Sequence, residues 1–240
     1  MQLFESAAEN TRTQSQLEVL VVAPRVTNIS EWIGYANQNY QTWVEEGHQL
    51  SQGNLNRLNP INYHGYLTER KGGRILRDDS INSRVDNYPF WSFSPPPATF
   101  GILNYNFVSD PDFEKLVEAA LELQNETCTS PAFGESSVIT QALALTPQEH
   151  ARIHNDLPSS SKNFPHLFFV HPIQARIEEP GSLVALAIGM ASWDVALRDL
   201  LPVGVEGINA VIRNTCDQVY TYEISGTLRL HTQGPGLSTY

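Results

Sequence analysis

Two histidines four residues apart, in Glu149-His150-Ala151-Arg152-Ile153-His154, have the spacing best suited to chemistry. On a helix they share one face, so His150 and His154 could hold a divalent metal. The inverted zincin order His-x-x-Glu-His fails, because Thr146 stands where its first histidine belongs. No third ligand can be located, and the competing reading is a solvent-facing helix. Nucleophile motifs are missing: Gly134-Glu135-Ser136-Ser137-Val138 lacks the last glycine of Gly-x-Ser-x-Gly. Cys128 and Cys216 form no Cys-x-x-Cys pair, which argues against zinc or redox use. Lys71-Gly72-Gly73-Arg74 has charge and flexibility but not the helix that a phosphate loop requires. His166 and His171 flank a Phe-Phe strand and read as strand-end residues. These residues predict no catalytic centre and no cofactor.

The most unusual stretch is Tyr88-Pro89-Phe90-Trp91-Ser92-Phe93-Ser94-Pro95-Pro96-Pro97. Its prolines remove backbone donors, so it cannot run through the middle of a sheet. It suits a rigid loop whose rings cover the core. It equally suits a pocket wall, since rigid aromatics give contact area at low entropic cost.

The elements that must position these residues follow from periodicity. Leu17 to Ala23 is β-branched and apolar, bounded by Pro24, and predicts a strand. Ser30 is the expected N-cap of a helix carrying Trp32, Ile33, Ala36, Tyr40 and Trp43, ending near Gly47. A strand is expected within 61–68, a hairpin or loop at 71–74, and a strand over 102–107, where apolar residues alternate. Asp110 is expected to cap a helix through Phe113, Leu116, Val117, Ala120 and Leu121. Thr146-Pro147-Gln148-Glu149 is a capping box and opens a short helix. Strands follow at 167–170 and 183–190, then a helical stripe of Trp193, Leu197, Leu200 and Leu201. Two more strands are expected at 208–212 and 219–224, joined by a turn at 214–217, with a weaker one at 228–231. Three or four of these late strands can form one antiparallel sheet. The fold class is therefore α+β, a sheet flanked by helices and long loops.

The 240 residues suffice for one large domain, and 41% apolar residues can supply a core. A formal net charge of −11 disfavours phosphate backbones and anionic membranes, so no nucleic-acid partner is expected. The longest apolar run, Ser182 to Trp193, is too short to span a bilayer, and Met1 to Ser6 does not resemble a signal peptide. The low lysine content and the acceptor triplets at Asn28 and Asn125 nevertheless suit an exported, glycosylated surface. A Cys128–Cys216 disulfide would close a loop of about ninety residues, worth roughly 4–5 kcal/mol. Two buried thiols fit the sequence as well.

Three blocks, taken in order, carry a resemblance. The first is Val21-Val22-Ala23-Pro24-Arg25-Val26-Thr27 with Trp32 and Trp43-Val44-Glu45-Glu46-Gly47. The second is Pro89 to Pro97 leading to Ile102-Leu103-Asn104-Tyr105-Asn106. The third runs from Leu200 to Ile208, through Asn214-Thr215-Cys216-Asp217-Gln218, to Tyr220-Thr221-Tyr222-Glu223-Ile224-Ser225-Gly226. Together they resemble the extracellular region of diatom-type receptor guanylate/adenylate cyclases, a region similar to CHASE and PAS sensors. The resemblance implies one sensor domain over 1–226, with Met1 falling partway into it and 227–240 as a tail. It implies an extracellular site on a membrane receptor whose flanking helices and cyclase domain lie outside this chain. The expected function is small-ligand sensing without catalysis, in a chain that could be a homodimer. Trp91, Pro95, Asn104, Tyr105, Tyr220 and Tyr222 are the expected ligand contacts, being aromatic and amide groups on or beside strands. A structural or dimerisation module without ligand, and a metal-dependent enzyme using His150 and His154, are the competing expectations.

Overall fold

The structure, a computed structural model, describes residues 2–50, 65–71, 74–77, 84–97, 102–127, 138–139, 143–144, 165–175, 183–192, 208–213, 219–225 and 227–234. Its elements are α1 (Gln2–Gln14), β1 (Val19–Pro24), α2 (Ile29–Leu50), β2 (Thr68–Lys71), β3 (Arg74–Arg77), β4 (Ser92–Ser94), a 3-10 turn (Phe107–Ser109) and α3 (Pro111–Thr127). Then come β5 (Val138–Ile139), β6 (Leu143–Ala144), β7 (Pro165–Gln174), β8 (Leu183–Ser192), β9 (Ile208–Arg213), β10 (Val219–Ser225) and β11 (Thr227–Gly234). The class is α+β, as the periodicities predict.

One antiparallel sheet runs β4-β1-β8-β7-β5, with β6 also on β7. Its register puts the largest apolar side chains on one face. Val21 pairs with both Phe93 and Ile188, Ile188 with Val170, and Met190 with Phe168. Because side chains alternate along a strand, Val19, Val21, Ala23, Leu186, Ile188 and Met190 all point into the core, and all are buried. Helix α2 joins that core through Trp43, edge-on to Phe93 at 6.3 Å, and α3 through Phe113, edge-on to Phe168 at 5.0 Å. Both helices carry their buried residues at helical spacing, Ala36, Trp43 and Val44 on one and Phe113, Leu116, Val117 and Ala120 on the other. Helix α1 lies against the opposite face, where Arg12 donates to Ser94 Oγ at 3.1 Å. Burial there raises the Glu5 carboxyl above its ordinary pKa, against the opposing hydrogen bond from Ser94. Leu17 covers Gly189 so closely that a Cβ on that glycine would lie 3.0 Å from the leucine. At the rim of this sheet His166 Nε2 faces Glu18 Oε2 at 3.3 Å, both buried.

Several expectations change. Helix α2 is capped by Asn28, whose Oδ1 accepts the Glu31 N–H at 3.2 Å, and not by Ser30. It passes through Gly47, which is buried, and runs on to Leu50. The stretch 102–107 is not a strand. Asn104 takes a left-handed φ of 62°, which reverses the chain, and residues 102–109 are all buried. The late strands divide: three of them, β9, β10 and β11, form one antiparallel sheet as expected, whereas β7 and β8 join β1 and β4 in another. The weaker strand expected at 228–231 is β11, longer than expected and paired with β10 from Ser225–Thr227 to Val219–Gly234.

Other expectations hold. The proline-rich segment forms an edge strand, β4. Lys71 pairs with Arg74, closing the expected hairpin. Pro111 starts α3, and the Asp110 carbonyl accepts the Glu114 N–H at 2.9 Å. His166 is at the strand end as expected, the second residue of β7 and buried, but His171 is not, because β7 runs on to Gln174 and leaves it exposed in mid-strand. The helices expected at 146 and 193, the 214–217 turn, His150, His154, Cys128 and Cys216 lie outside the described residues. No helix among the described residues is long and apolar enough to cross a membrane.

Candidate functional site

A groove opens where β1 ends and α2 begins. It has a volume of about 320 Å³ and is lined by Arg25, Val26, Thr27, Asn28, Glu31, Trp32 and Tyr35. The chain is pinned there by backbone bonds. Arg25 N–H donates to the Val184 carbonyl at 2.8 Å, and Val26 exchanges bonds with Asn87 at 2.8 and 3.0 Å. Asn28 then starts the helix, and its Nδ2 donates to Glu31 Oε2 at 3.3 Å, a reciprocal arrangement across the first turn.

Trp32 and Tyr35 are three residues apart, so they share one face of that turn. Their rings meet at 5.4 Å, and Trp91 completes a trio at 5.3 Å from Trp32 and 5.9 Å from Tyr35. Trp91 is set from below, since its carbonyl accepts the Trp43 indole N–H at 2.8 Å. Trp32 is set from the side, donating its indole N–H to Asn104 Oδ1 at 3.1 Å. Asn104 is fully buried, and its own backbone is tied to Phe90 at 3.0 Å and Thr68 at 2.9 Å. Tyr35 is 48% exposed and forms the accessible edge of the trio.

Beside the rings, Arg25 Nε donates to Asp86 Oδ1 at 2.7 Å, a pair about one-third and one-quarter exposed. That hydrogen bond, opposed by partial burial, raises the arginine pKa further. Asp86 adjoins Tyr88, a buried side chain whose hydroxyl pKa is pushed up to about 12, first by desolvation and then by the Asp86 charge. Buried amides brace this region. Asn106 Nδ2 donates to Asn87 Oδ1 at 2.7 Å, and Asn106 Oδ1 accepts the Tyr88 N–H at 3.0 Å.

Of the residues expected from sequence, Trp91 belongs to the aromatic trio and Asn104 holds its Trp32. Tyr105 is a core residue, its ring 5.4 Å from that of Phe90. Pro95 follows a cis Ser94–Pro95 bond beyond β4 and is half-buried. Tyr220 and Tyr222 lie two apart on β10, and their side chains lie outside the description. Asn125 falls in the last turn of α3. Arg25, Asn28, Glu31 and Tyr35 are not among the expected contacts, and neither is Trp32, which the sequence places in a helical stripe and in the first block of the resemblance. The available signal was the dense run from Arg25 to Tyr35, where a strand end meets a helix cap. Among the described residues no group of three or more His, Cys, Asp or Glu side chains comes together. Compared with known protein families, characterised proteins and solved structures, the chain matches none of them.

Proposed function

We propose that this chain is a non-catalytic ligand-sensing module that holds a small molecule in the groove between β1 and α2. The observation that carries the reading is the aromatic trio, two of whose rings line a groove that also presents a guanidinium and a carboxylate. Aromatic walls with a few fixed polar groups are the usual chemistry of a small-molecule site, and the volume falls at the lower end of the usual range. The trio is preorganised, because Trp32 and Trp91 are each tied by an indole or carbonyl hydrogen bond to a buried partner. The resemblance of the three ordered blocks to receptor-cyclase ectodomains supports the same reading. In such receptors this region takes the ligand outside the membrane and a separate cytoplasmic domain makes the cyclic nucleotide. Helix α2 offers a route for the signal: it touches the groove at its first turn and the core at Trp43, about 17 Å along the helix from Trp32.

A thermal-shift screen with a small-metabolite library tests this, run on the wild type and on Tyr35→Ala. Tyr35 is half-exposed but packs on Trp32 and Trp91, so the shifts of the variant are read against its own unliganded melting temperature. The reading expects at least one metabolite to stabilise the wild type and not the variant. Stabilisation equal in both proteins, or none in either, overturns it.

A second reading is favoured by Val85 and Val184, 83% and 44% exposed, which adjoin Arg25 through Asp86 and a backbone bond. This face would then be a dimer contact. Sedimentation of the wild type and Val85→Asp decides it: a dimer lost in the variant supports the contact, and a monomeric wild type removes it.

A further inference from the structure

The charges lining the groove narrow the class of ligand, on the reading that the groove is the binding site. Arg25 donates to Asp86 through Nε. A guanidinium is a planar fork with five donors, so this one bond fixes its plane and leaves both Nη groups for an acceptor. The first turn of α2 adds the positive end of a 22-residue helix next to it. Glu31 accepts from Asn28 through Oε2 at 3.3 Å. A carboxylate has several lone-pair sites, so Glu31 retains capacity for an ammonium group. Two lining residues thus carry opposite charges, and Trp32 and Tyr35 supply apolar surface and ring faces that also attract a cation. A ligand with a single charge would desolvate the opposite lining charge without compensating it. A ligand with one charge of each sign compensates both.

We propose that the groove recognises a small amino-acid-like zwitterion. Its carboxylate sits on Arg25, its ammonium on Glu31, and its apolar group against Trp32 and Tyr35.

Calorimetric titration of the whole chain tests this with four probes: L-phenylalanine, L-leucine, 2-phenylethylamine and 3-phenylpropionate. At least one of the two zwitterions is expected to bind, and each single-charge relative to bind at least about tenfold more weakly. Glu31→Gln is expected to weaken the zwitterion and to leave 3-phenylpropionate no weaker, since the uncompensated charge is gone. Arg25→Gln is expected to weaken the zwitterion and to leave 2-phenylethylamine no weaker. Should Arg25→Gln fail to fold without its Asp86 partner, the wild-type comparison and the exposed Glu31→Gln variant decide alone. Single-charge probes that bind as tightly as the zwitterions overturn the proposal, and so does the absence of binding by all four. If a different molecule still stabilises the wild type and not Tyr35→Ala, the groove remains a ligand site and only the zwitterion class falls. If no molecule does, both fall.

Discussion

Asn104 does two things that no other residue type does as well. It accepts the left-handed φ of 62°, a region where asparagine is tolerated far better than most residues, and it holds the Trp32 indole from a fully buried position. Asn104→Ala loses both, leaving strained backbone and an indole N–H without its acceptor. A loss on the order of 2 kcal/mol is expected in urea unfolding, with Asn104→Gly costing less because glycine relieves the strain. Tyr88 makes the opposite case. Its buried hydroxyl has no hydrogen-bond partner among the described residues, so Tyr88→Phe should be neutral or stabilising near pH 7. Its pKa is raised from 10.0 to about 12 in the folded state. The folded protein therefore keeps this proton after the unfolded chain has lost it. The neutral form's stability is fully present below pH 10.0 and is lost as the pH rises towards about 12. Tyr88→Phe should flatten that alkaline limb in a pH series of melting temperatures. At this scale the sequence was only partly legible. Trp91 and Asn104 stood out by type, but the asparagines of 102–107 looked like the polar face of a strand. They are instead buried, with Asn106 binding the backbone of Tyr88 and the side chain of Asn87, and that role leaves the same alternating pattern.

Among the elements, α2 links the groove to the core, and its stripe of Trp32, Ala36, Tyr40 and Trp43 was visible from spacing alone. Its ends were not. Asn28 and Ser30 are both good caps, and what selects Asn28 is where the strand lets go of Val26. Gly34 lies on the exposed side of this helix, and a Cβ there would meet nothing within 4 Å. Gly34→Ala should therefore stabilise the protein by about 0.5–1 kcal/mol, read as a higher midpoint in thermal or urea unfolding, without altering ligand response. A destabilised Gly34→Ala would mean that this face of α2 is covered. The sheets show why strand pairing was harder to foresee than strand existence. The strands β1, β7, β8, β9 and β10 each have a local signature. That β1 pairs with β8 on one side, as well as with the nearer β4 on the other, depends on register and core volume across more than 150 residues, which no local window carries.

For the whole molecule, a sheet with its large side chains on one face carries two helices there, and the groove opens at the end of β1. Rings packed at 5.3 to 5.9 Å leave Tyr35 as the accessible edge, so a ligand docks onto a preformed surface. Ligand at a hundred times its dissociation constant would add about 2.7 kcal/mol of stability, or roughly 5–10 °C in a chain of this size. The most direct test of a ligand site at this position follows the indole N–H resonances by nuclear magnetic resonance while a stabilising metabolite is titrated. The Trp32 and Trp91 resonances should move in a saturable manner, with the core Trp43 moving less. A stabilising ligand that leaves Trp32 and Trp91 unmoved would contradict the account.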